Sequence, residues 1–357
     1  MTTLRIGLLL PRSGPAALWR LGAEACAALA AAEAEAECGR AIELVPVDGG
    51  ADPAAASRAA VILRDLHRVD AVVGMQLSHQ RRAVERALSG RVPYIYTPPF
   101  EGGPCAPGTL AIGLEDAESL RPAIDWMVRR AGVRRVAFVG SDYVWPRAAA
   151  AATEAAVVAA GARMVACALA PIGGADFEVS LDRLRTARAD LAVCVLIGED
   201  AVRFHRAFAA AGLAPRIARL ALGFDETLLW AAGPEASENL HAVQSFFLDA
   251  PPPAREPMLA RYAAAFGARR PPVTALGLGC YDGVRLAAQL GRLAGGGPIG
   301  APRPGFGRAQ ALALLGRESA AELAPATLCV AEGARFLPAR DGTRRRARAL
   351  DPGRRAS

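Results

Sequence analysis

The sequence predicts an α/β protein of two doubly wound, parallel-sheet lobes joined by a hinge of several crossing segments. Three observations lead there. Short apolar runs alternate with longer Ala-, Arg- and Glu-rich stretches, the pattern of parallel strands covered by helices on both faces. The alternation occurs in two series, each a little over 110 residues long, and each sufficient for one such lobe. A chain of 357 residues that is 52% hydrophobic also has apolar surface enough for about two cores.

The first series opens with RIGLLL (5–10). The Ala/Glu segment from Ala16 to Cys38 follows, a helix packed on a sheet rather than a coiled coil, because no heptad persists. Next come IELVPV (42–47), a helix started by Asp52 as N-cap with Pro53 in its first turn, and DAVVGM (70–75). A helix from about Ser78 to Ser89, then PYIYT (93–97) and TLAIGL (109–114), complete it. The second series runs VRRVAFVGS (133–141), a helix after Pro146, RMVACALA (163–170) and a helix near 177–188. It continues with LAVCVLIG (191–198), a helix from Asp200 to Ala211, RLALGF (219–224), a further helix and HAVQSFF (241–247). Pro251-Pro252-Pro253 marks a crossing, after which the helical sequence 255–294 packs back on the first lobe. A Gly/Pro-rich loop is expected at 295–307. The lobes are thus expected at 1–118 with about 251–325, and at 119–250 with a return around 326–339. Residues 340–357 form an arginine-rich tail expected to be disordered.

Composition excludes several functions. The net charge is +7, but the segment from Arg335 onward holds eight arginines and two aspartates, leaving +1 for residues 1–334. The basicity is that of a tail, residues 340–357 hold no aromatic residue, and direct nucleic-acid binding is not expected. All 42 basic residues are arginine, so neither a P-loop lysine nor Schiff-base chemistry is available. Four histidines show no metal-ligand spacing and seven cysteines never approach CxxC, which reads as reduced core thiols with no metal and no cofactor. MTTLRIGLLLP reads as a strand, not a signal peptide, and no run of 18 apolar residues spans a membrane. A cytoplasmic location follows if Met1 is the true start, and a periplasmic one if the start lies upstream.

Ligands of open α/β sheets sit outside the carboxyl ends of the strands, so four post-strand segments hold the candidates. In GMQLSHQRRAV (74–84), Ser78 lies at a helix start, where it is a ligand contact or an N-cap; Arg81 and Arg82 read as a solvated face. In PYIYTPPFEGG (93–103), Tyr96 and Thr97 end a strand before a stiff Pro-Pro loop. In VGSDYVWPR (139–147), Ser141 or Asp142 caps a helix while Tyr143 and Trp145 stand ready to cover a ligand. In VLIGEDAVRFHRAF (195–208), Glu199 and Asp200 either neutralise a ligand cation or complement the helix dipole. No nucleophile–base–orienter set and no GxSxG is present, so no catalytic residue is assigned. An enzyme would have only Glu199, Asp200, Asp225 and Glu226 to work with.

At these segments, together with RIGLLLPRSGPAALW, VPVDGGADPAAASRAAVILR and ARADLAVCVLIGEDAVRFHRAF, the chain resembles the type I periplasmic-binding-protein family in its amide- and urea-binding branch. The resemblance runs over roughly residues 4–294. It implies a non-catalytic clamp that closes by hinge motion on a small polar ligand in an inter-lobe cleft: an amide, urea or amino acid. By position, it matches the family's binding Ser to Ser78 and its two binding tyrosines to Tyr96 and Tyr143. The pocket departs from the family pattern. Gln76 replaces a Tyr, Pro98 and Glu199 each replace a Thr, and Leu222-Gly223-Phe224 replaces a Thr-Thr-Ser run. Gln76, Ser78, Tyr96, Thr97, Tyr143, Glu199 and Phe224 are therefore the expected ligand-binding residues, and the acids 199–200 favour a ligand with an amino or amidinium group. Two routes onward are implied. Regulatory members sense amides in the cytoplasm and sequester an RNA-binding antiterminator. Transport members deliver ligand to an ABC permease. The start of the chain favours the regulatory route, and a homo-oligomer is compatible with both.

Overall fold

The strands at the centre of the two sheets, such as AVVG (71–74) and LAVCV (191–195), are apolar along their whole length, because helices cover both sides of a parallel sheet. The computed structural model describes residues 3–174, 176–295, 297, 299–300, 307–315 and 326–339. Contacts divide the chain into two units, residues 1–115 with 251–324, and residues 116–250 with 325–357. The expected tail 340–357, and residues 301–306 of the expected loop, lie outside the described residues.

The first unit starts with β1 (Leu4–Leu10), α1 (Arg20–Cys38), β2 (Ile42–Asp48), α2 (Pro53–Val61) and β3 (Ala71–Gly74). It continues with α3 (Ser78–Leu88), β4 (Tyr94–Tyr96) and β5 (Thr109–Ala111). The five strands are all parallel, in the order β2-β1-β3-β4-β5. Asp52 starts α2 as expected, accepting the Ala55 N–H at 2.8 Å, with Pro53 directly after it.

The second unit contains α4 (Asp116–Arg130), β6 (Arg135–Ser141), α5 (Val144–Ala159), β7 (Arg163–Ala170), α6 (Glu178–Thr186) and β8 (Leu191–Val195). Then follow α7 (Glu199–Ala210), β9 (Ala218–Leu222), α8 (Glu226–Ala232) and β10 (Leu240–Gln244). Helix α5 begins at Val144, not after Pro146. Proline in the first turn lacks only an N–H that has no intrahelical partner there, so the helix starts ahead of it.

The chain returns to the first unit as α9 (Glu256–Phe266), α10 (Ala275–Leu293) and α11 (Arg308–Leu315). Helix α10 lies alongside α1 and close under the sheet. A Cβ at Gly283 would stand 2.8 Å from a Val73 methyl carbon and 2.9 Å from that of Thr97, so only glycine allows this approach. Strands β11 (Thr327–Glu332) and β12 (Arg335–Pro338) return to the second unit and pair antiparallel beside β10. That sheet, β12-β11-β10-β9-β8-β6-β7, is therefore mixed where a purely parallel one is expected. The tight turn at Gly333-Ala334 reverses the chain between β11 and β12, whereas β11 reaches the side of β10 only after the chain has passed through the first unit.

Candidate functional site

In the first unit the register of the central strands brings Leu9, Gly74 and Tyr96 level with one another. Gln76, Ser78 and Thr97 lie just past these carboxyl ends. Gln76 binds all three strands together. Its Nε2 donates to the Leu9 carbonyl, its Oε1 accepts the Tyr94 hydroxyl at 2.8 Å, and its own carbonyl accepts the Tyr96 hydroxyl at 2.8 Å. Burial pushes the Tyr94 hydroxyl far above its ordinary pKa, so it stays a neutral donor. Thr97 donates to the Gly74 carbonyl at 3.2 Å, and its hydroxyl stands 3.7 Å from Cys280 Sγ. Two of the expected ligand contacts thus hold the strand ends in place.

Ser78 does not cap α3. The N-cap is Leu77, whose N–H donates to Gln80 Oε1 at 3.1 Å, while Gln80 Nε2 donates to the Gly50 carbonyl at 3.0 Å. Gln80, as the third helical residue, accepts the N-cap N–H in the manner of a capping box, and Ser78 is buried as the first residue of the helix. Arg81 corrects the expectation of a solvated face, for its side chain is only 4% exposed. It donates to Glu85 at 2.9 Å and to Glu101 at 2.9 Å, and its guanidinium lies over the Tyr96 and Phe100 rings at 5.4 and 5.7 Å. Burial works against the Arg81 charge, but the two carboxylates outweigh it and its pKa lies above the ordinary value. Burial raises the Glu101 pKa, yet contacts from Ser78, from its own backbone and from Arg81 bring it below the ordinary value. Sequence reading missed Glu101. The Arg81/Glu85 spacing of four residues was a local signal for part of the cluster; nothing local pairs residue 81 with residue 101.

The second unit places its candidates differently. Tyr143 is the N-cap residue of α5, nearly buried, with its ring centre 6.2 Å from that of Trp145. Trp145 Nε1 donates to Asp116 Oδ1 at 2.8 Å, which joins the starts of α4 and α5. Neither Ser141 nor Asp142 caps α5: Ser141 accepts the Ile197 N–H at 3.3 Å, and Asp142 pairs with Arg147 at 2.5 Å. The Glu199 side chain is 83% exposed, 3.8 Å from Arg203. Asp200 is buried, accepting from the Gly173 N–H at 3.0 Å and from Arg203 at 2.5 Å. Arg203 thus contacts both acids, closely at Asp200 and distantly at Glu199. Phe224 packs in the core, 4.5 Å from the His205 ring and 6.5 Å from that of Phe336, centre to centre. The structure thus brings Gln76, Ser78, Tyr96 and Thr97 to one face of the first unit. Tyr143 and Glu199 follow strand ends of the second, and Phe224 is interior.

Among the described residues no group of three or more His, Cys, Asp or Glu comes together to hold a metal. No described helix is long and apolar enough to cross a membrane. The arrangement can donate, accept and stack, which suits recognition of a small polar molecule.

Comparison with known proteins agrees. The family model described as "Periplasmic binding protein" matches residues 3–302. Similar solved structures include an ABC transporter substrate-binding protein from Sphaerobacter thermophilus, 23% identical, covering 95% of this chain and 97% of that one, at TM-score 0.77. An ABC-transporter solute-binding protein from R. palustris in complex with benzoate is 18% identical, with coverage of 94% and 95%, at TM-score 0.74. A branched-chain amino acid transporter substrate-binding protein from Streptococcus pneumoniae in complex with isoleucine is 17% identical, with coverage of 94% and 98%, at TM-score 0.73. These structures share the fold. With its two α/β units and a family match over most of its length, the chain belongs to the periplasmic binding protein family.

Proposed function

We propose that the chain is the solute-binding component of an ABC transporter, exported to the periplasm, that captures a small polar organic molecule without chemical change. The observation that carries this reading is the family match over residues 3–302, joined to structural neighbours described as ABC transporter substrate-binding proteins. Those neighbours favour the transport route over the regulatory one. The ligand contacts in this reading are Ser78, Tyr96, Thr97 and Gln76, past the strand ends of the first unit; Tyr143 and Glu199 follow strand ends of the second. Two of the four acids that an enzyme would need are already engaged. Asp200 is already paired with Arg203, and Asp225 caps α8 through the Leu228 N–H at 3.2 Å. Mass spectrometry of small molecules released from the purified, denatured protein identifies the ligand. Uptake of that compound is then measured in the native host with and without the gene. The expected result is at least a tenfold loss of uptake at low concentration, with the protein in the periplasmic fraction. Unchanged uptake, with the protein in the cytosol bound to an RNA-binding partner, would establish the regulatory route instead.

A further inference from the structure

The buried cluster at the start of α3 is incompletely matched. Arg81, Glu85 and Glu101 have side chains 4%, 8% and 7% exposed, so two carboxylates share one buried guanidinium. Arg82 approaches Glu101 only at 3.7 Å and is itself 54% exposed, where solvent screens its charge. Arg81 occupies Glu101 Oε1. Glu101 Oε2 is covered from solvent and, among the described residues, no donor meets it with hydrogen-bond geometry. The Ser78 hydroxyl and the Glu101 backbone N–H also support this carboxylate, and Arg81 Nε in the same cluster likewise meets no partner with hydrogen-bond geometry among the described residues. A buried carboxylate oxygen without a donor is costly, so it calls for a partner such as a water, an ion or a ligand group.

We propose that Glu101 is a specificity-determining residue of the site assigned above, with Oε2 accepting a hydrogen bond from a donor group of the ligand held beside Ser78. The inference rests on that functional reading and deepens it. An ionised carboxylate only accepts. It therefore selects a ligand end that carries N–H, whether a neutral amide or an ammonium group, and repels a ligand carboxylate placed there. Glu101 is suited to this because Arg81 fixes its orientation and Tyr96 and Phe100 flank the guanidinium that does so. An ammonium donor also neutralises the excess of one negative charge in the cluster, whereas an amide N–H satisfies the acceptor and leaves the charge as it is. Selectivity against the isosteric acid is strong in such a site because the wrong partner leaves two buried acceptors facing each other.

The test is calorimetry on the full chain at pH 7 with two matched pairs of probes, benzamide against benzoate and isoleucine against 3-methylpentanoate. The first pair isolates a neutral N–H group and the second an ammonium. The expected result is at least tenfold tighter binding of the N–H-bearing member of one pair. Glu101→Gln is expected to reduce that preference at least tenfold. Glu101→Asp, which keeps the charge beside Arg81 but withdraws the oxygen, weakens the N–H-bearing probe and serves if the Gln variant does not fold. Preference for the carboxylates, or a preference that both variants leave unchanged, overturns the assignment and means that Oε2 faces an ordered water only. Binding of none of the four probes also overturns it. Whether the denatured protein then releases another small molecule tells whether the functional reading falls with it.

Discussion

Glu226 follows β9 as the first residue of α8, and its buried carboxylate accepts the Asp249 N–H at 3.2 Å. Burial lifts its pKa to about 7, and the neighbouring Asp225 charge pushes the same way, against hydrogen bonds from backbone N–H groups of residues 226, 248 and 249. In the unfolded chain the carboxyl titrates near its ordinary value of 4.5. Between those two values the unfolded chain has released a proton that the folded chain retains, so rising pH favours unfolding. The contribution is fully present below about pH 4.5, declines through the window and is gone above about pH 7, a loss on the order of 3 kcal/mol. Glu226→Gln removes this titration. Urea denaturation of wild type and variant from pH 4.5 to 8 is expected to show the variant gaining on the wild type up to pH 7 and running parallel above it. A constant difference across the range would mean that Glu226 ionises normally.

Among the elements, the loop after β4 depends on a close backbone approach. Gly113 follows β5, and a Cβ there would overlap the Pro98 carbonyl group and lie 2.7 Å from the Pro99 nitrogen. Two consecutive prolines have little freedom to yield. Gly113→Ala is therefore expected to cost about 3 kcal/mol, read as a lower urea midpoint. Because the same loop carries Thr97 and Glu101, ligand affinity is expected to fall as well, and an unchanged midpoint would show that the loop moves aside freely. The legibility of the sequence differed between such elements. β1 and the start of α2 could be read because their signals are local: an unbroken apolar run, and an Asp-Pro pair at a helix start. Arg81 could not, since adjacent arginines on a polar helix look solvated and Glu101, its buried partner, lies 20 residues away. Gln76 was expected in the site only because the family resemblance implies a Tyr at that position. Its hydrogen bonds to Leu9 and Tyr94 depend on β1, β3 and β4 lying side by side, which no single segment encodes. The antiparallel return of β11 and β12 left no pattern in the alternation that predicted the parallel strands.

For the whole molecule, charge is divided unevenly along the chain. Residues 340–357 contain seven arginines and two aspartates, so the first 339 residues carry +2 of the net +7. In the body, arginines are extensively paired: Arg255 with Asp282 at 2.5 Å, Arg261 and Arg285 with Glu33 at 2.7 and 3.3 Å, and Arg81 with its two glutamates. Paired guanidiniums add little to the field that a distant polyanion meets, whereas a run of unbalanced arginines adds all of it. Any affinity of this protein for nucleic acid therefore belongs to the tail and is unspecific. Five to seven phosphate contacts on a single strand give a slope of log K against log salt of about −3 to −5, at about 0.7 per contact. A chain ending at Ala339 is expected to bind single-stranded RNA with a slope near zero, and to keep its small-molecule affinity unchanged. Fluorescence anisotropy of a labelled oligonucleotide at several salt concentrations measures the first, and calorimetry the second. If the shortened chain kept the steep slope, a basic face would have to exist on one of the two units, and the pairing of their arginines would not describe the charge that a partner meets.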